Sequence, residues 1–209
     1  MLDIAKKIPV QETFQETIQG EGYWVGASVD FIRLHGCPVG CPWCDQEYGN
    51  GGSHLPRSSM SIEKLLSQLC SPRVVISGGE PFIHKNLPLL VQAILDNEKE
   101  VSIETSGAFY QPVSNLCWIT LSPKEHLNPN YKVCDRLLPM VNEIKIVIED
   151  GTELEYYRDN LFKKSSCHRI YLQPEWTQRE RTIPLTLNLL KEFPTARLSL
   201  QTHKYIGVL

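Results

Sequence analysis

The sequence predicts one α/β domain over residues 1–209, built as a partial (open) β/α barrel, and three observations carry that expectation. Short runs rich in Val and Ile recur along the chain, each followed by a polar or glycine-rich turn. Between them lie segments whose apolar residues are spaced three and four apart, the period of an amphipathic helix. Alternating strands and helices imply parallel, right-handed βαβ units with strands buried on both faces. A closed barrel of eight units takes about 250 residues, so a chain of 209 fits an open one.

Seven strands are expected in chain order, at 28–34, 73–77, 101–104, 118–121, 143–148, 169–172 and 197–200. The first helix follows from Ile62, Leu65, Leu66 and Leu69, with Ser61 and Lys64 forming half a capping box. Leu87, Leu90, Val91, Ile94 and Leu95 mark the second, which Asn86 and Pro88 start. Residues 182–193 make a third amphipathic segment. In such folds the site gathers at the carboxyl ends of the strands.

With 42% hydrophobic and 22% charged residues the chain can bury one sizeable core. A net charge of -3 offers no long-range attraction to nucleic acid or an anionic membrane. No run of about twenty apolar residues is present, and no fixed repeat or low-complexity tract. Seven cysteines, an odd number, with no charged-then-apolar opening segment, point to reducing, cytoplasmic conditions.

Three of those cysteines, Cys37, Cys41 and Cys44, stand in one short loop with the spacing CxxxCxxC. Iron-sulfur cubanes normally take four thiolates, so three leave one iron open to a ligand that is not protein. Zinc held by three Cys and one His, His35 or His54, is the alternative reading of the same loop. Cys70, Cys117, Cys134 and Cys167 have no metal spacing and are expected to be buried small side chains.

Six of the seven expected strands then run into unusual polar residues, the first of them into the cysteine loop. Ser77-Gly78-Gly79-Glu80-Pro81, Glu104-Thr105-Ser106-Gly107, Ser122-Pro123-Lys124, Gln173-Pro174-Glu175 and Gln201-Thr202-His203-Lys204 each follow one. Taken singly these are ordinary turns and loops. Their placement after successive strands is what a zinc module does not need.

Together with Gln19-Gly20-Glu21-Gly22 and Phe31-Ile32-Arg33, these motifs resemble the 7-carboxy-7-deazaguanine synthase family of the radical S-adenosylmethionine (radical SAM) superfamily, from about Val10 to Tyr205. The resemblance implies a radical SAM barrel, a 4Fe-4S cluster on Cys37, Cys41 and Cys44, S-adenosylmethionine on its open iron, and magnesium. It implies ring contraction of 6-carboxy-5,6,7,8-tetrahydropterin to 7-carboxy-7-deazaguanine with loss of ammonia, a carbon-nitrogen lyase step on the route to queuosine. The family precedent adds a homodimer and an electron donor such as flavodoxin or ferredoxin. No nucleic acid or membrane partner is implied.

Residue roles follow from the same resemblance. Trp43, Cys44, Asp45, Gly79, Glu80, Ser122, Pro123 and Lys124 are expected against S-adenosylmethionine. Ile18, Gln19, Gly20, Glu21, Arg33, Ser77, Gln173 and His203 are expected against the pterin. Arg33 suits the substrate carboxylate because its planar fork matches that anion in two parallel bonds. The family follows its third cysteine with Asp-Thr, the threonine serving magnesium, whereas this chain has Asp45-Gln46. A glutamine carbonyl can ligate a hard cation, but from a longer side chain. The stretch 49–54 is expected to be mobile, and nothing in the residues assigns the terminal carboxylate of Leu209 a place in the site. A radical SAM activase of a glycyl-radical enzyme, a zinc-binding module and a family member silenced by Gln46 are the rival readings.

Overall fold

The computed structural model describes residues 2–46 and 56–208, so the 49–54 stretch with His54, and Leu209, lie outside the described residues. Nine strands among the described residues form one sheet: β1 (Lys7–Ile18), β2 (Ser28–Leu34), β3 (Ser58–Ser61), β4 (Arg73–Gly78), β5 (Glu100–Thr105), β6 (Trp118–Leu121), β7 (Glu143–Ile148), β8 (Ile170–Pro174) and β9 (Arg197–Leu198). Their order is β3-β1-β2-β4-β5-β6-β7-β8-β9. From β2 through β9 every neighbouring pair is parallel. The seven expected strands are these parallel ones, within a residue or two at their ends, and the sheet stays open.

The antiparallel edge formed by β1 and β3 was not expected from the sequence. β1 reads Lys-Ile-Pro-Val-Gln-Glu-Thr-Phe-Gln-Glu-Thr-Ile, with no run of apolar residues to announce it. It also bulges, with register shifts at Val10/Glu12 and Phe14/Thr17 and a left-handed backbone at Glu16 (φ 53°). Such a strand carries a broken period-2 signal.

Among the described residues five α-helices accompany the sheet: α1 (Ile62–Leu66), α2 (Leu87–Asp96), α3 (Thr152–Tyr157), α4 (Arg179–Glu192) and α5 (Thr202–Ile206). The Ser61 hydroxyl caps α1 by accepting from the Lys64 N–H at 3.2 Å. Asn86 precedes α2 as expected, but its side chain donates to the Lys7 carbonyl (2.8 Å) instead of capping the helix. α4 begins at Arg179, before the expected 182, because the added residues, Arg179, Glu180 and Arg181, are all charged and carry no apolar period; its buried residues are the hydroxyl-bearing Thr182 and Thr186. Their hydroxyls donate to carbonyls one turn back, at 3.2 Å to Gln178 and 2.7 Å to Thr182. Of the four spare cysteines, Cys117 and Cys167 are buried, Cys134 is half-buried and Cys70 is exposed, against the expectation that all four are buried. No described helix is long and apolar enough to cross a membrane.

Strand alternation sorts side chains between two environments. Val74, Ile76, Val101 and Ile103 pack with Leu87, Leu90, Val91 and Ile94 of α2 in the main core. Val75, Val29 and Phe31 point the other way, into a small separate cluster. On β7, Ile144, Ile146 and Ile148 join the main core, while Lys145 and Val147 line the barrel interior.

Asp30, fully buried in β2, ties the antiparallel edge to the barrel. Its carboxylate accepts from the N–H groups of Glu16 (2.9 Å), Cys70 (2.6 Å) and Ser71 (2.8 Å). Asp30→Ala leaves those donors without their acceptor and is expected to cost about 2–3 kcal/mol of unfolding free energy. Urea denaturation of the two proteins measures it, and a loss under about 0.5 kcal/mol would refute the brace.

Candidate active site at the carboxyl ends of the strands

A cavity of about 380 Å³ opens at the carboxyl ends of the parallel strands. That volume lies in the range of small-molecule sites. Cys37, Cys41 and Cys44 share its wall with Ser77, Gly79, Glu80, Glu104, Ser122, Lys124, Gln173 and His203, so residues from six strand ends meet there.

The cysteine loop leaves β2 and is gripped by the loop after β4. The Gly79 N–H donates to the Leu34 carbonyl (2.8 Å) and the Glu80 N–H to the Gly36 carbonyl (2.9 Å). A Cβ on Gly79 would sit 1.9 Å from the Gly36 oxygen, so only glycine permits this approach. The buried Glu80 carboxylate accepts from Phe82 N (3.1 Å), Thr105 Oγ1 (2.7 Å), Ser106 N (2.8 Å) and Ser106 Oγ (2.5 Å). It thereby ties the β4 loop to the β5 loop.

Trp43 is clamped from two sides. Its Nε1–H donates to Glu149 beyond β7 (3.0 Å), and the Lys124 ammonium lies 5.4 Å from its ring centre. Lys124 donates to the Ser122 carbonyl (2.5 Å) and hydroxyl (2.6 Å). Burial lowers the Lys124 pKa, with Cys41 acting against it. Burial pushes the Cys37 thiol up to about 11 and also raises Cys41.

Metal binding deprotonates a thiol outright. Among the described residues no three His, Cys, Asp or Glu side chains converge on a point that could hold a single ion. A cubane sets each thiolate on a different iron and needs no such point. Three thiols lining one roomy cavity therefore fit a cluster.

The cavity floor includes Gln19 and Glu21, from the 19–27 loop between β1 and β2. Thr202 donates to the Gly20 carbonyl from its N–H and its hydroxyl (3.0 Å each), and the His203 ring stands where a Gly20 side chain would go. The Gly22 N–H donates to Ser199 Oγ (3.0 Å), which donates to Gln173 Oε1 (3.0 Å). The Tyr23 N–H donates to Glu143 on β7 (2.9 Å). The first and last strand-end motifs are thus joined across the open side of the barrel. Gly20 and Pro123, both expected as contacts, are not among the lining residues, whereas Ile18, Gln19 and Glu21 are.

Arg33 lines the cavity with Nη1 on Glu12 (2.6 Å) and its guanidinium 4.8 Å from the Phe14 ring centre. Asp45 receives Gln201 and Lys204 at 3.3 Å each, and Gln46 Oε1 accepts from Gln11 (3.2 Å). Burial lowers the His203 pKa, opposed by Glu21.

Lys145 was not singled out by sequence reasoning. Its ammonium donates to Glu21 and, at 2.9 Å, to Glu104. The available signal was a lone lysine inside the apolar strand Glu143–Ile148. Burial alone would raise the Glu21 pKa, but the Lys145 charge and the bonds from Lys145 and Gln201 carry it down to about 2. The same two carboxylates raise the Lys145 pKa against the effect of burial.

The chain was also compared with known proteins. The model of the radical SAM superfamily matches residues 31–116. A 7-carboxy-7-deazaguanine synthase of Synechocystis is 37% identical over 203 residues, covering 96% of this chain and 93% of the relative. The synthase of Escherichia coli K12 is 34% identical over 225 residues, covering 96% and 98%. The crystal structure of QueE from Escherichia coli superposes with a TM-score of 0.78 at 31% identity, covering 93% of each chain.

Folding lowers the Glu21 pKa from an ordinary 4.5 to about 2, so its contribution to stability is complete above about pH 4.5 and is lost as pH falls toward 2. The melting-temperature gap between wild type and Glu21→Gln is therefore expected to hold constant above that pH and to shrink below it. A gap that widens on acidification would contradict the bridge.

Proposed function

We infer the reaction from one premise: the chain belongs to the 7-carboxy-7-deazaguanine synthase family of the radical SAM superfamily. The reading is conversion of 6-carboxy-5,6,7,8-tetrahydropterin to 7-carboxy-7-deazaguanine with release of ammonia. The observation that carries it is the meeting of the three-cysteine loop with the 19–27 and 201–204 motifs around one cavity. A glycyl-radical activase has no use for a small-molecule floor of that kind.

When bound, a 4Fe-4S cluster with S-adenosylmethionine supplies the adenosyl radical that takes and returns a hydrogen atom. Everything else falls to the chain. Cys37, Cys41 and Cys44 hold the cluster. The wall of Trp43, Asp45, Gly79, Glu80, Ser122 and Lys124 orients S-adenosylmethionine, with Pro123 shaping that loop from behind. Ile18, Gln19, Glu21, Ser77, Gln173 and His203 position the pterin, and Gly20 lets His203 pack close. The Arg33 guanidinium has donors beyond the one given to Glu12 and takes the substrate carboxylate. No protein nucleophile is needed; fixed orientation and exclusion of water are the protein's share. A flavodoxin or ferredoxin as reductant and a homodimer in the cytoplasm belong to the same reading.

Magnesium does not fit the residues present. The Gln46 carbonyl oxygen already accepts from Gln11, and the Lys204 ammonium, itself a cation, holds Asp45.

Anaerobic reconstitution with iron and sulfide, followed by assay for 7-carboxy-7-deazaguanine, tests the function. Cluster-loaded protein that cleaves S-adenosylmethionine yet yields no deazapurine would refute it. Arg33→Ala is expected to lower kcat/KM by roughly 100-fold, the value of about 3 kcal/mol for a charged pair of hydrogen bonds, mainly through KM. Turnover is expected to vary less than about twofold between chelated and millimolar magnesium, a small part of the several kcal/mol a catalytic Lewis acid supplies; strict magnesium dependence would overturn the account of Gln46.

A further inference from the structure

The Lys145 side chain is 4% exposed and lies between two carboxylates from distant parts of the chain, Glu21 on the floor loop and Glu104 at the end of β5. All three line the cavity. Two glutamine amides complete the arrangement. Gln19 Nε2 donates to Glu104 Oε1 (2.9 Å), and Gln201 Nε2 donates to Glu21 Oε1 (2.7 Å). Their carbonyl oxygens are used elsewhere, by Glu21 N (3.2 Å) and Lys204 Nζ (2.9 Å). Flipping either amide loses these bonds.

An ionised carboxylate offers about four lone-pair positions. The four hydrogen bonds named here leave acceptor capacity on both groups, and Glu104 and Glu21 keep 22% and 12% side-chain exposure. Neighbouring carboxylates cannot both stay ionised in a buried site without a cation between them. Without Lys145 one of them takes a proton and becomes an O–H donor, which reverses what that part of the floor accepts from a ligand.

We propose, resting on the pterin reading above, that Lys145 is a positioning residue for substrate specificity. By holding Glu21 and Glu104 as a pair of ionised acceptors, it selects a ring edge rich in N–H donors. The amidine edge of a 2-amino-4-oxopyrimidine is such an edge. A ring with a carbonyl oxygen in place of the 2-amino group is rejected, because that oxygen meets an anion and leaves a buried acceptor unpaired.

The test uses cluster-loaded holoenzyme with S-adenosylmethionine, and equilibrium dialysis of 6-carboxytetrahydropterin and its 2-oxo analogue. Wild type is expected to favour the 2-amino ligand by on the order of 10³-fold, below the ceiling for a site built to bind a polar group. In Lys145→Met the dissociation constant for the 2-amino ligand rises at least ~10-fold, about the loss of one charged hydrogen bond. The preference also falls to within roughly tenfold, and Lys145→Arg restores most of both. Cluster absorbance and S-adenosylmethionine cleavage without pterin stay at wild-type levels.

If Lys145→Met does not fold, Lys145→Met with Glu104→Gln removes the unpaired charge and carries the same expectations. Unchanged ligand preference in a folded variant overturns the inference. So does a parallel loss of cluster, cofactor cleavage and both ligands, which marks a merely structural lysine. Because binding is read directly, a wild type that binds and discriminates yet forms no deazapurine refutes the proposed reaction and leaves this inference standing.

Discussion

An open barrel has to be sealed, and most of this structure follows from how that is done. Seven parallel strands stop short of closure, which would leave the interior exposed along one side. The 19–27 loop fills that gap through the Gly20 to Thr202 contact, the Gly22 to Ser199 bond and the Tyr23 to Glu143 bond. Each depends on a close backbone approach. A Cβ on Gly22 would lie 2.4 Å from the Glu143 carboxylate, and Gly22 also has a left-handed backbone (φ 63°). The seal is therefore specific to this loop sequence.

The charges inside the seal do separate jobs. Glu143 anchors the loop and accepts from Thr120 (2.8 Å); burial raises its pKa. Lys145, two positions along the same strand, faces the cavity with Glu21 and Glu104. Glu149, beyond the strand end, holds Trp43 of the cysteine loop. One strand and its following residue thus brace the floor, the middle and the mouth of the cavity, because side chains two apart share a face. Burying this many charges is costly unless each is paired, and here each has a named partner.

Much of this was legible in the sequence. The parallel strands were readable because apolar runs with short turns are a local signal, and the cysteine loop because its spacing alone limits the metals it can hold. β1 was not, since its bulges break alternation and its residues are mostly polar. α4 was read short because its first residues, Arg179, Glu180 and Arg181, are charged and carry no apolar period. Lys145 was passed over because a single lysine in a strand is usually a solvated side chain. Only its neighbours in space mark it as something else.

The chain's own pattern decided which segments become strands and helices and which polar residues follow each strand, because periods of 2 and 3.6 act over a few residues. Tertiary structure alone decided which of those residues meet. Lys145 reaches Glu21 across 124 positions of sequence and Glu104 across 41. Gly79 reaches Gly36 only where β2 and β4 lie side by side. Such pairings depend on strand order, register and the sealing loop, which are settled by the packing of the whole sheet and leave no trace in any one segment.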